Sequence, residues 1–164
     1  MFCLGLSSAI KHENYLDFEY VVRRVGSLTL IAILITAVTY YFERESFVYF
    51  GAIHAIAVNS VLHLPFLHNA KLAGLVAVGI LLYNTCIGEF PLEVPKEETL
   101  DYIPWFSNLG FVLLGVLAHS QGLHRVTNHL VQDPWFNWAG QQALWIYLSH
   151  QALIFTIVAL HSAA

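Results

Sequence analysis

The chain has 164 residues, of which 57% are hydrophobic and 11% charged, and its mean hydropathy is +0.62. An average soluble domain is about 25% charged, so this composition excludes an ordinary soluble fold and points to an integral membrane protein. The net charge of −4 gives no hint of nucleic-acid binding, and the seven basic residues form no large patch.

Met1 to Ile10 is apolar but too short to span a bilayer, and no basic stretch precedes it as in a signal peptide. It reads as the second half of a membrane helix whose first half lies upstream, as in a truncated or mis-started chain. Lys11 to Arg24 is a polar connector. Val25 to Phe42 is uncharged and ends in the aromatic run Tyr40, Tyr41, Phe42, as a span does at a membrane interface.

Phe47 to Leu67, FVYFGAIHAIAVNSVLHLPFL, is the organising stretch. As one helix its 21 uncharged residues cover the hydrocarbon core, about 30 Å. Gly51 and Ala55, four apart, predict a close helix contact, with His54 on the same flank. Leu72 to Ile87 and Trp105 to His119 are further, shorter spans. Between them Gly88 to Pro104 is an acidic, proline-containing loop. Trp138 to Leu160 closes the set. The expected architecture is all-α: one transmembrane domain over 1–164, with five spans at about 25–42, 47–67, 72–87, 105–119 and 138–160, plus the half-helix 1–10.

Basic residues orient this bundle. With Lys11 to Arg24 cytoplasmic, Lys11, Arg23, Arg24, Lys71 and Arg125 fall inside, and Arg44 and Lys96 outside. The acidic loop and the C-terminus are then external. His54 lies about 10 Å below the outer surface and His150 about 12 Å. Asn108 is a turn inside the outer end of its helix, below Asp101. Tyr147, His150 and Gln151 share a face by their spacing. Together these groups are expected to border a cavity that opens outward.

A histidine at such depth is costly unless it is used or partnered. Near neutral pH it takes up and releases protons, and beside a carboxylate it activates a hydroxyl or amine. His54 and His150 are therefore the candidate catalytic groups. The plainer reading is a buried imidazole bonded to a neighbour's backbone. His63, His68, His119, His124 and His129 read as interfacial or loop residues in contact with solvent. Cys3 and Cys86 read as apolar core thiols, and no ligand spacing predicts a metal.

Four segments resemble one family. FVYFGAIHAIAVNSVL at 47–62 is similar to the Phe-Gly-Ile-Leu-His segment of the heparan-α-glucosaminide N-acetyltransferase catalytic-domain family. DYIPWFSNLGFVLLGVLAH at 101–119 resembles its Asp-Tyr-x-Pro-x-x-Pro-Trp-x-Gly segment. GQQALWIYLSHQALI at 140–154 resembles its closing Ile-Tyr-Leu-x-His-Gln segment. FCLGLSSAI at 2–10 resembles its Phe-x-x-Gly-x-Ser helix. The four occur in the family's order. The family's opening Asp-x-x-Arg-Gly helix is not among these residues, nor is the external loop in which its lysosomal member keeps an active histidine. Ser107 and Ala143 stand where the family often has Pro and Ser.

The resemblance implies a polytopic membrane enzyme that moves an acetyl group from cytosolic acetyl-CoA to a small-molecule or glycan acceptor on the far side. Carried over, His54 matches the family's Phe-Gly-x-x-His histidine, Asp101, Trp105 and Gly110 its outer-loop motif, and Tyr147, His150 and Gln151 its closing one. The expected roles are then catalytic for His54 and His150, and substrate-binding for Asp101, Trp105, Tyr147 and Gln151, joined by Asn108 from its depth. The expected setting is a bacterial inner membrane, with self-association as an expected partnership. Two alternatives stand beside it: a non-catalytic scaffold or transport subunit, and a haem protein ligated by His54 and His150.

Overall fold

The structure is a computed structural model that describes residues 1–42, 44, 47–88, 90, 102–123, 125, 134–150 and 153. Among these residues it is helical throughout, with no strand. The helices are α1 (Phe2–Lys11), α2 (Phe18–Phe42), α3 (Ala52–Leu62), α4 (Ala70–Cys86), α5 (Trp105–Ser120) and α6 (Pro134–Gln141), with a 3-10 turn at Leu64–Phe66. Residues 143–150 are also helical. The chain forms two compact units, Met1–His124 and Arg125–Ala164.

In the first unit α5 is central, with α1 and α4 packed on it and α3 touching it, while α2 pairs with α3. The α4–α5 core is Ala73, Ala77, Ile80, Leu109, Leu113 and Val116. Small residues set how closely these helices approach. A Cβ on Gly5 would collide with the Val112 carbonyl, and one on Gly115 would collide with the Phe2 carbonyl and lie 2.7 Å from the Leu6 nitrogen. Backbone therefore meets backbone where α1 crosses α5, a contact only glycine permits.

The half-helix at the N-terminus is present as α1. The span expected at 25–42 begins seven residues earlier, at Phe18. Asp17 accounts for this start, since its Oδ1 accepts from the Tyr20 N–H at 3.0 Å as an N-cap does. Among the described residues α2 is the helix long and apolar enough to cross a bilayer, and it buries only Val21 and Ala32. Leu30, Ile33, Leu34 and Val38 are exposed along it.

The expectation of one helix over 47–67 is corrected. Only Ala52–Leu62 is α-helical, eleven residues or about 16 Å. Two threonines of α2 explain the first break. Thr36 Oγ1 donates to the Val48 carbonyl at 2.8 Å, and Thr39 Oγ1 accepts from the Val48 N–H at 3.1 Å. Val48 is thus bonded sideways to α2 instead of along a helix, and Gly51 is extended as the N-cap of α3. At the other end Pro65, which has no N–H, sits in the 3-10 turn. The expected spans at 72–87 and 105–119 correspond to α4 and α5, whose 17 and 16 residues are likewise short for a full crossing. Most of the expected last span, from residue 151 on apart from Leu153, lies outside the described residues.

Cys3 and Cys86 are exposed, contrary to the expectation of core thiols. Cys3 is on the side of α1 away from buried Leu4, Gly5 and Ser8, and Cys86 is the last residue of α4.

Candidate functional site

The expected site residues are divided between the two units. His54 is in the first turn of α3 and half-buried. Its Nδ1 accepts from the Gly51 N–H at 3.2 Å, so the ring closes one of the free donors at its own helix start. Its Nε2 lies 3.2 Å from Thr36 Oγ1. The Thr36 proton goes to the Val48 carbonyl, so Thr36 Oγ1 is the acceptor and Nε2–H the donor. This is the neutral Nε2–H tautomer, assigned from its partners.

Trp105 opens α5. Its ring joins an aromatic cluster in which Phe90 and Phe106 stack at 3.9 Å, with Trp105 edge-on to both. Asn108 Nδ2 donates to the Pro104 carbonyl at 2.7 Å, tying the first turn of α5 to the residue before it. Tyr147 and His150 lie in the second unit. His150 is exposed, its Nδ1 is 2.6 Å from the Tyr147 carbonyl, and the two rings meet edge-on at 5.4 Å. Asp101 and Gln151 lie outside the described residues.

A second polar group, which the sequence reading passed over, lies at the far end of α3. His63 was expected to be solvated, yet it is 1% exposed. Its Nδ1 is 2.6 Å from the Asn59 carbonyl, which can only accept. Nδ1–H is therefore the donor, and Nε2 presents its lone pair to Ser8 Oγ at 2.7 Å. Ser8 is buried in α1. On the same α3 face, fully buried Asn59 donates from Nδ2 to the Trp105 carbonyl at 3.1 Å. Its Oδ1 has no hydrogen-bond partner among the described residues. One chain of polar contacts thus joins α1, α3 and α5 through the apolar interior.

The Ser8–His63 end of this chain meets a small cleft lined by Ser8, His12, Tyr20, Arg24, Ser60 and His63, among others. His12 is also buried, and its Nδ1 accepts from the Asp17 N–H at 3.2 Å. Lys11 Nζ sits 5.0 Å above the Tyr20 ring, which His12 meets edge-on. Arg23 turns away into an exposed pair with Glu19. His12 and Arg24 therefore line the cleft bordered by the buried serine–histidine pair. Its sequence signal was the Asn59–His63 spacing, which puts both residues on one helix face. The Ser8 partner is 55 residues away and left no local trace. Among the described residues no group of acidic, histidine and cysteine side chains could hold a metal ion.

The family model for heparan-alpha-glucosaminide N-acetyltransferase, catalytic, matches residues 1–152. The chain belongs to this family. No curated protein and no solved structure matches it. Membership of this acetyltransferase family implies acetyl-CoA as the acyl source, and together with α2 it indicates association with a membrane. Three of the resembling segments supply the polar chain: Ser8 lies in 2–10, Asn59 in 47–62 with His63 one residue beyond it, and Trp105 in 101–119.

Proposed function

We propose that the chain is a polytopic membrane acetyltransferase that takes acetyl from acetyl-CoA on the cytosolic side and delivers it to a sugar-type amine or hydroxyl on the outer face. The family match over residues 1–152 carries this reading. In the proposed topology α2, α3, α4, α5 and the C-terminal segment cross the bacterial inner membrane, and the basic Lys11 to Arg24 stretch faces the cytosol. The shortness of α3, α4 and α5 is met by local thinning and by their polar ends. His54 and His150 handle protons at the acceptor. Asp101, Trp105, Asn108, Tyr147 and Gln151 form its binding surface.

Engagement of both ring nitrogens of His54, by Gly51 and Thr36, favours this reading over the bis-histidine haem protein. The test uses vesicles of defined sidedness that carry the full chain, with labelled acetyl-CoA on the cytosolic face and a glucosaminide on the other. Labelled acceptor is expected, and His54→Ala or His150→Ala should each reduce it about a hundredfold. Transfer equal to that of vesicles without the protein would reject the enzyme in favour of a scaffold. Transfer unchanged by both substitutions would reject the two histidines.

A further inference from the structure

We infer that Ser8 and His63 form a base-activated nucleophile that captures the acetyl group from a thioester as an ester on Ser8 Oγ. This rests on the acetyltransferase reading for the choice of acyl donor. The pair itself rests on geometry. An activated serine needs a base within hydrogen-bond reach, and that base needs a third group to fix its tautomer. Here Ser8 Oγ–H donates to His63 Nε2 at 2.7 Å, and His63 Nδ1–H donates to the Asn59 carbonyl at 2.6 Å. The ring is held with its lone pair aimed at the hydroxyl.

The surroundings suit an anionic thioester. Ser8 and His63 line the same cleft as Arg24 and His12. The Arg24 guanidinium in that lining is the kind of group that can meet a donor phosphate or the oxyanion that forms during attack. The cleft as it stands holds about one water molecule. One of its walls is the first part of α2, a helix that buries little against the rest of the unit. Entry of the acyl end requires those turns, held by buried Val21, to move aside.

The chemistry closes without any other reagent. Ser8 Oγ attacks the thioester carbonyl carbon while its proton passes to His63 Nε2. The tetrahedral intermediate collapses, the carbon–sulfur bond breaks, and His63 returns the proton to the leaving sulfur. Free coenzyme A thiol departs and Ser8 carries the acetyl ester. An acceptor amine or hydroxyl then attacks the ester, and the proton it sheds passes by way of the acceptor-side groups to His63, which gives it to Ser8 Oγ.

The experiment is acid-quenched peptide mapping of the full-length protein in membranes after exposure to labelled acetyl-CoA without acceptor, with transfer to a glucosaminide measured in parallel. Label is expected on the Ser8 peptide. It should be absent in Ser8→Ala and reduced about a hundredfold in His63→Gln. In Ser8→Cys, whose thiol needs less help from a base, label should return as a thioester. Matched thermal unfolding of Ser8→Ala and the parent separates loss of the nucleophile from loss of fold. Acceptor transfer with no label on Ser8 overturns the nucleophile and leaves the acetyltransferase standing. Label on Ser8 with no acceptor transfer supports the nucleophile and overturns the transferase reading. Absence of both overturns both. Label spread over lysines, as in heat-denatured protein, marks nonenzymatic acetylation and also overturns the nucleophile.

Discussion

The two ends of α3 each carry a histidine with both ring nitrogens engaged, and the two rings are protonated on opposite atoms. At the start of the helix, His54 turns its lone pair to the Gly51 N–H and its proton to Thr36. Beyond the end, His63 turns its proton to the Asn59 carbonyl and its lone pair to Ser8. A lone pair held by a backbone amide stabilises a helix start and has to be released before it can take a proton. A lone pair held by a hydroxyl is poised to remove its proton. The neighbours of an imidazole, more than its depth, decide what it can do.

The sharpest check on this contrast is all-or-none. Nitrogen-15 spectra of histidine-labelled protein should show His54 protonated at Nε2 and His63 at Nδ1, each assigned by its alanine variant. One shared tautomer would remove the distinction. Stability should follow the same division. His63→Ala takes away two buried hydrogen bonds and leaves a void, so it should cost about 3 kcal/mol in denaturant unfolding in detergent. Asn59→Ala strips the Trp105 carbonyl of its buried donor and should cost about 2 kcal/mol by the same measurement. His54→Ala removes a helix-start contact at a half-buried site, a loss of about 1 kcal/mol. Equal losses for His54→Ala and His63→Ala would mean that the two ends are anchored alike. Thr36→Val should be the mildest change, about 0.5–1 kcal/mol, with its effect confined to the 47–51 segment when read by hydrogen exchange.

The sequence made the helical class legible because long uncharged runs leave few other folds. It also placed α1, α4 and α5 to within a few residues. It misjudged 47–67 because apolarity alone does not say where a chain's hydrogen bonds go. Thr36 and Thr39 capture Val48 from another helix, and no local pattern announces a contact twelve residues away. Family likeness drew attention to His54 and to the closing segment. His63 was passed over because its place near a proline and a loop suggested solvent. Its burial comes from Ser8 and from the close approach of α1 to α5, which rests on Gly5 and Gly115. A glycine in an apolar run marks a possible close approach without naming the partner.

The disparity in helix length bears on how the chain is made. Helix α2, with 25 residues, can leave the translocation machinery for lipid by itself. Helix α3, about 16 Å long and carrying His54, Asn59 and Ser60, is a poor candidate for independent entry. Its His54 and Asn59, and His63 just beyond it, gain these partners only once Thr36 of α2, the Trp105 carbonyl of α5 and Ser8 of α1 are in reach. If the proposed topology holds, biosynthesis becomes a matter of retention: the early helices would wait beside the exit site until α5 emerges, so that the polar chain forms as a unit before its members face hydrocarbon.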